Sequence, residues 1–537
     1  MSSADLIIQA DTVHTMDPCR PAAEAIAADR GVIIGVGSRR EIAALRNDDT
    51  EVVELGAATI TPGWVDGHIH PVLGIGMTRG ADLSTVSDVG ELVGALRRAA
   101  CSADEQGGWV LGWGLNPSVF AGAAITSEPL VRALGDTPAL IIMFDAHSAI
   151  ASPCALRAAG IDGPRSFDGG AEIVCDDGGR PTGHLLEIPA YEPVQALVPA
   201  ESSATRRGKL YELLAGMAAV GITAGNAMDF EGDSAELITV LAQECRLPIR
   251  LRFAPFCMPG VSSSDLDQIV AQQRLGGPRW HVDGVKFMID GTVDGGTAWL
   301  SEPDRFGEST APFWPEPQAY AEALQRLAAA GVPTVTHAIG DQGVRYVLDT
   351  LADLPVERAR VPHRIEHIET IPGDLVHRFR AQNVTASMQP THCTLYSRAD
   401  QTDNWSRRLG AERAGRAWRT RDLRAAGARL ALGSDWPIAP YDPRGVLADA
   451  QLRRHHGHPE TDPILPEQGL TARMALEGYT THAAAAAGLE HVAGQIREGF
   501  RADLSAFGLD PLRAPPDEFA EAPVPLTVVD GTIVHRR

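Results

Sequence analysis

Residues 60–70 read ITPGWVDGHIH, and the fold follows from how this stretch is interpreted. Residues 60–68 are strand-like, and near their end His68 and His70 stand two positions apart. Side chains at i and i+2 of a strand point to the same face, so both imidazoles can bind one ion. A lone H-x-H pair is weak evidence, because surface loops produce it often. Its weight comes from what recurs downstream.

Seven more strand-like runs follow: 221–229, 249–256, 282–290, 332–338, 363–368, 384–390 and 429–435. Several intervening segments are Ala/Leu/Arg-rich with helical spacing, among them TRRGKLYELLAGMAAVG before the second strand and AYAEALQRLAAAG before the fifth. Eight strand–helix units predict an α/β fold, a closed (β/α)8 TIM barrel whose strand C-termini converge on one mouth. Polar residues punctuate those ends: Lys286 in strand four, His337 in five, His367 in six, Asp435 in eight. Each has an ordinary reading alone. Lys286 reads equally as a surface lysine, His367 as a satisfied core histidine, and Asp435 as a turn residue in Ser434-Asp435-Trp436-Pro437. Together they fall where one metal site would need them.

Both chain ends read as short strands: DLIIQA (5–10) and GVIIGV (31–36), then ADLSAF from Ala502 and PLTVVDGTIVHR from Pro525, the last with an Asp530-Gly531 hairpin signal. Neither end could bury a sheet face alone. The expectation is a small β-sandwich domain from residues 1–58 and 486–537, with the barrel spanning 59–485. Roughly 150 residues separate the first two barrel strands, too many for a simple crossover. An insert at about 75–205 is expected over the mouth, and residues 393–418 read as a second long loop.

With 537 residues, the chain exceeds what one core usually supports. A net charge of -22 repels phosphates and anionic lipid, so the expected partner is a small-molecule substrate, with no nucleic acid and no membrane, in a homodimer. Seven scattered cysteines without a C-x-x-C pair argue for free thiols. The first residues lack a basic, apolar leader, and the expected location is cytoplasmic.

The set GWVDGHIHP, VKFMIDG, THAIGDQ, RIEHIE, SMQPTH and LGSDWPI resembles the amidohydrolase superfamily. More narrowly it resembles the amidohydrolase-3 branch, which includes YtcJ-like proteins and N-substituted formamide deformylases. DAHSAIASPCAL (145–156), RPTGHLLE (180–187) and GQIREGFRADL (494–504) extend the likeness nearly end to end. The segment TVDGGTAWL (292–300) departs from the commoner sequence at this place. The resemblance implies that His68, His70, His337, His367 and Asp435 ligate one or two divalent ions, with Zn2+ expected from the ligand type. It further implies that Lys286 carries a CO2-derived carbamate bridging two metals, and that Asp435 shuttles the proton of an attacking water. Trp113, His147, Gln389 and His392 are candidate substrate contacts by position. The implied reaction is hydrolysis of a C–N bond in an amide-like molecule, such as an N-substituted formamide. The motifs hardly separate this from a deaminase or a carbamate or ester hydrolase, and a non-catalytic assembly protein is a further alternative.

Overall fold

In the computed structural model, residues 3–167, 171–354 and 361–537 are described. The barrel strands are Trp64–Ile69, Ile222–Ala227, Arg250–Phe253, Trp280–Val282 continued by Val285–Met288, Thr334–Ala338, Arg364–His367, Thr385–Met388 and Leu430–Leu432. They pair in parallel as two arcs, which divide within strand four. Gly284 causes that division: its φ of +126° is open to glycine and breaks the ladder between the two pieces. Backbone hydrogen bonds bridge both seams. Lys286 N donates to Pro255 O at 2.8 Å, and Asp435 N donates to His68 O at 2.8 Å. The result is a TIM-barrel-type α/β fold whose seams are held by these bonds rather than by one continuous ladder.

The crossover helices form where the helical spacing predicts them. Ser203–Ala219 precedes strand two, and Pro317–Ala329 precedes strand five. The latter buries Tyr320, Leu324 and Leu327 on one face, a three-to-four spacing that packs against the barrel. Residues 393–418 differ from expectation, because the predicted loop is largely helical, with Pro390–Tyr396, Asn404–Leu409 and Ala411–Ala414. Asp403 caps the middle helix, its side chain accepting from Ser406 N, a start signal hidden in a polar run.

The chain ends meet in one hydrogen-bonded network of eight strands, built from both termini. Leu6–His14 is its branch point, pairing in parallel with Glu51–Glu54 along its first half and with Thr59–Pro62 along its second. Thr59–Pro62 pairs in turn with Leu504–Phe507, so the terminal sheet takes the start of the expected first barrel strand. Asp530 and Gly531 both have positive φ and close the predicted hairpin between Leu526–Val529 and Thr532–Arg536. The strand Ala22–Asp29 (AAEAIAAD) was not legible, since alanine carries little β signal.

Between barrel strands one and two lies a six-stranded sheet that includes Val110–Leu115, Ala139–Met143, Ser148–Ala151 and Pro181–Leu186. Among the described residues no helix is long and apolar enough to cross a membrane.

Candidate metal centre and its cavity

At the C-terminal mouth of the barrel, four imidazoles surround the carboxylate of Asp435. His68 and His70 each approach Oδ1 with Nε2 at 3.3 Å. His392 Nε2 lies 3.7 Å and His367 Nδ1 3.8 Å from Oδ2. The backbone is specially arranged here: Asp435 takes φ +60° and His367 φ +72°, left-handed conformations that are costly for residues other than glycine. At His367 the turn breaks the alternation of strand six, so consecutive residues both reach the site. Glu366 bonds His68, and the His367 ring lies 5.0 Å from the His68 ring.

His68, fully buried, donates from Nδ1 to Glu366 Oε2 at 2.6 Å. Its Nε2 lies 3.4 Å from Lys286 Nζ. Burial pushes the Lys286 ammonium down to about 8, against the opposing pull of Glu366 and Asp435. Burial, reinforced by neighbouring cations, also holds His68, His337 and His367 well below the usual imidazole range. Neutral imidazoles are the form that ligates metal.

The donor set fits a divalent cation. Two triads that share Asp435, His68/His70/Asp435 and His367/His392/Asp435, each have ligand atoms within 4.8 Å of one another. Asp435 Oδ1 and His392 Nε2 are buried without a hydrogen-bond partner, a costly state that a bound cation at the carboxylate would relieve. A third cluster, Asp449/His455/His456, lies elsewhere and is closed by its own hydrogen bonds, in which both histidine Nδ1 atoms face the carboxylate.

His337 sits in the cavity wall with its ring 4.5 Å from that of His367, but its Nε2 faces the Gly291 carbonyl at 3.1 Å. The cavity above Asp435 has a volume of about 170 Å³. Its walls are largely apolar, with Phe144, Phe256, Trp405, Trp418 and Ile438 among them. His147 enters from the insert and donates from Nδ1 to Glu187 Oε2 at 2.8 Å. Burial alone would lower His147, but Glu187 and Asp145 outweigh it and lift the imidazole to about 9. Glu369 also lines the cavity, pushed up to about 8 by burial while it accepts from Trp405 Nε1 at 2.7 Å.

Of the candidate substrate contacts, His147 and His392 line the cavity. Two are corrected. Trp113 lies in the insert strand Val110–Leu115 and packs on the insert's own core, away from the cavity walls. Gln389 is fully buried and accepts from His367 Nδ1 at 2.9 Å, so it orients a ring and does not face the cavity. Sequence reasoning assigned no role to Glu366 or Glu187. Both stood inside quoted motifs, RIEHIE and RPTGHLLE, and an acid within a strand that must be buried was the available signal.

The barrel thus carries a histidine-ringed carboxylate at its mouth, the donor set of a candidate metal centre. The sequence pattern of the amidohydrolase family matches residues 51–535, and the chain belongs to that family. It is 27% identical to YtcJ of Bacillus subtilis over 98% of each chain. It is 26% identical to an N-substituted formamide deformylase of Arthrobacter pascens, covering 99% of this chain and 98% of that one. A crystal structure of a metal-dependent hydrolase from Pyrococcus horikoshii shares the fold, with a TM-score of 0.73 at 22% identity over 95% of this chain and 99% of that chain.

Proposed function

We propose that the protein hydrolyses a C–N bond of an amide-like small molecule, with N-substituted formamides as the substrate class. The observation that carries this reading is the Asp435 carboxylate ringed by four imidazoles at the floor of an apolar-walled cavity. The aromatic walls suit an apolar N-substituent. The likeness to a formamide deformylase supports the same direction.

His68, His70, His367, His392 and Asp435 would hold the ion, with His337 beside them. Their nitrogen and carboxylate donors suit zinc, and a bound divalent metal supplies Lewis acidity and a water of lowered pKa. Lys286, held near 8, keeps a fraction of free amine near neutrality. That amine adds CO2 and releases a proton, which turns a cation unsuited to a metal site into an anionic carbamate. Asp435 takes the proton of the attacking water and delivers it to the leaving nitrogen, so that a neutral amine departs. His147, kept cationic by Glu187, presents its Nε2 side to the cavity and stabilises negative charge on the substrate oxygen.

The test is a panel of N-alkyl and N-aryl formamides, the matched acetamides, carbamates and ring amidines, offered to metal-loaded protein. Formate and amine released in equal amounts, faster than acetate from the acetamides, is the expected result. Turnover confined to the carbamates or amidines overturns the substrate class.

A further inference from the structure

At the barrel end opposite Asp435, a second cavity of about 30 Å³ lies between the N-terminal ends of the first three strands and the segment returning to the terminal sheet. Its walls carry Asn226, Arg250, Arg252 and Arg501, with Asp503 the sole acid among them. Four nitrogen donors of these lining residues are buried without a partner: Arg252 Nη1 and Nη2, Arg250 Nε and Asn226 Nδ2. Their charge partners are already used elsewhere. Arg252 pairs through Nε with Asp283 at 3.1 Å, and Arg250 pairs through Nη2 with Asp530 at 2.6 Å and Asp503 at 3.3 Å.

Unsatisfied buried donors cost free energy, and buried guanidinium groups especially so. Side chains this deep, with Arg252 4% and Asn226 1% exposed, cannot turn to solvent for relief. The volume exceeds the roughly 10–15 Å³ that one water requires. One or two waters could accept these bonds, but they bring protons of their own that need acceptors, and Asp503, the only carboxylate on the walls, is already paired with Arg250. A small anion accepts from all sides and donates nothing. Three guanidiniums lie on the walls, and although Asp503, Asp530 and Asp283 balance their charge, Arg252 Nη1 and Nη2 and Arg250 Nε are left without an acceptor, so the unmet need is for an acceptor that carries no protons.

We infer that this cavity binds one monovalent, halide-sized anion, with chloride as the form met in solution. It is held by Arg252, Arg250 and Asn226 and ties the barrel floor to the chain's return into the terminal sheet. The site is independent of the reaction at Asp435. His281, on the same wall, agrees with an electropositive site: burial first, and then Arg252, push its imidazole down to about 4.

Crystals of the full chain grown or soaked in bromide test the inference directly. An anomalous peak in this cavity, within roughly 3.5 Å of the Arg252 Nη atoms, is expected. Density for water alone, without an anomalous signal, overturns it. In solution, chloride should raise the thermal midpoint beyond what gluconate does at equal ionic strength. Asn226→Asp, which replaces a donor by a negative charge at nearly constant shape, should abolish that difference. An undiminished chloride increment in Asn226→Asp would overturn the assignment even if the variant is less stable overall.

Discussion

Glu366 accepts a 2.6 Å hydrogen bond from His68 Nδ1 while Arg364 Nε donates to its other oxygen at 3.0 Å. A carboxylate can only accept here, so the proton sits on His68 Nδ1 and the lone pair of Nε2 faces Asp435. Such partners commonly contribute ~10–100-fold to metal affinity. Glu366→Gln should therefore weaken metal binding by about that factor, read by competition with a chromophoric chelator. Unchanged affinity would mean that packing alone orients His68.

Asp435→Asn separates proton transfer from architecture. The amide still suits the left-handed φ of +60° but cannot take a proton. We expect kcat to fall ~10^2–10^4-fold, with metal content measured on the same sample. Near-normal turnover in metal-replete protein would refute the proposed role.

Lys286 should incorporate 13CO2, with a carbamate carbon resonance that disappears in Lys286→Ala. That variant should lose activity, and short-chain carboxylates should restore part of it. A lysine that stays a free ammonium in protein purified with its metal would leave the site without the bridge.

The His147–Glu187 pair predicts a pH dependence of stability. The His147 pKa is raised from 6.5 to about 9 on folding, so the folded state holds its proton more tightly than the unfolded chain. The resulting stabilisation is fully present below pH 6.5 and is lost as pH rises through about 9. Buried acids with raised values, such as Asp66 and Asp290 at about 7, also make stability fall with rising pH. The measurement is therefore the difference between the native protein and His147→Gln in urea unfolding at pH 6 to 10. That difference should shrink toward high pH, and a constant offset would contradict it.

The barrel was legible because strands, helices and the residues at strand ends obey local rules: period-two apolar runs, Ala/Leu-rich spacing and histidines two apart. What escaped depends on partners far away in sequence. Nothing local in ITPGWVDGH says that Thr59–Pro62 joins Leu504–Phe507 while Trp64–Ile69 joins the barrel. The left-handed turn at His367 was equally hidden, because no glycine announces it and tertiary packing imposes it. Trp113 could be read from its position either as a cavity contact or as an ordinary core aromatic, and it packs on the insert's own core.

The stitching of the first barrel strand to the chain's far end bears on how the protein is made. Gly63 N donates to Asp503 O, and Trp64 N reaches Ser505 Oγ across a sequence separation of 441 residues. On a ribosome adding about 5–20 residues per second, the edge of Thr59–Pro62 waits roughly 20–90 s for its neighbour to be synthesised. Throughout that interval an apolar strand edge lies open beside a half-made barrel, an invitation to pair with another nascent chain. Translation speed and chaperone supply, more than the stability of the finished molecule, should then govern how much soluble protein a cell obtains.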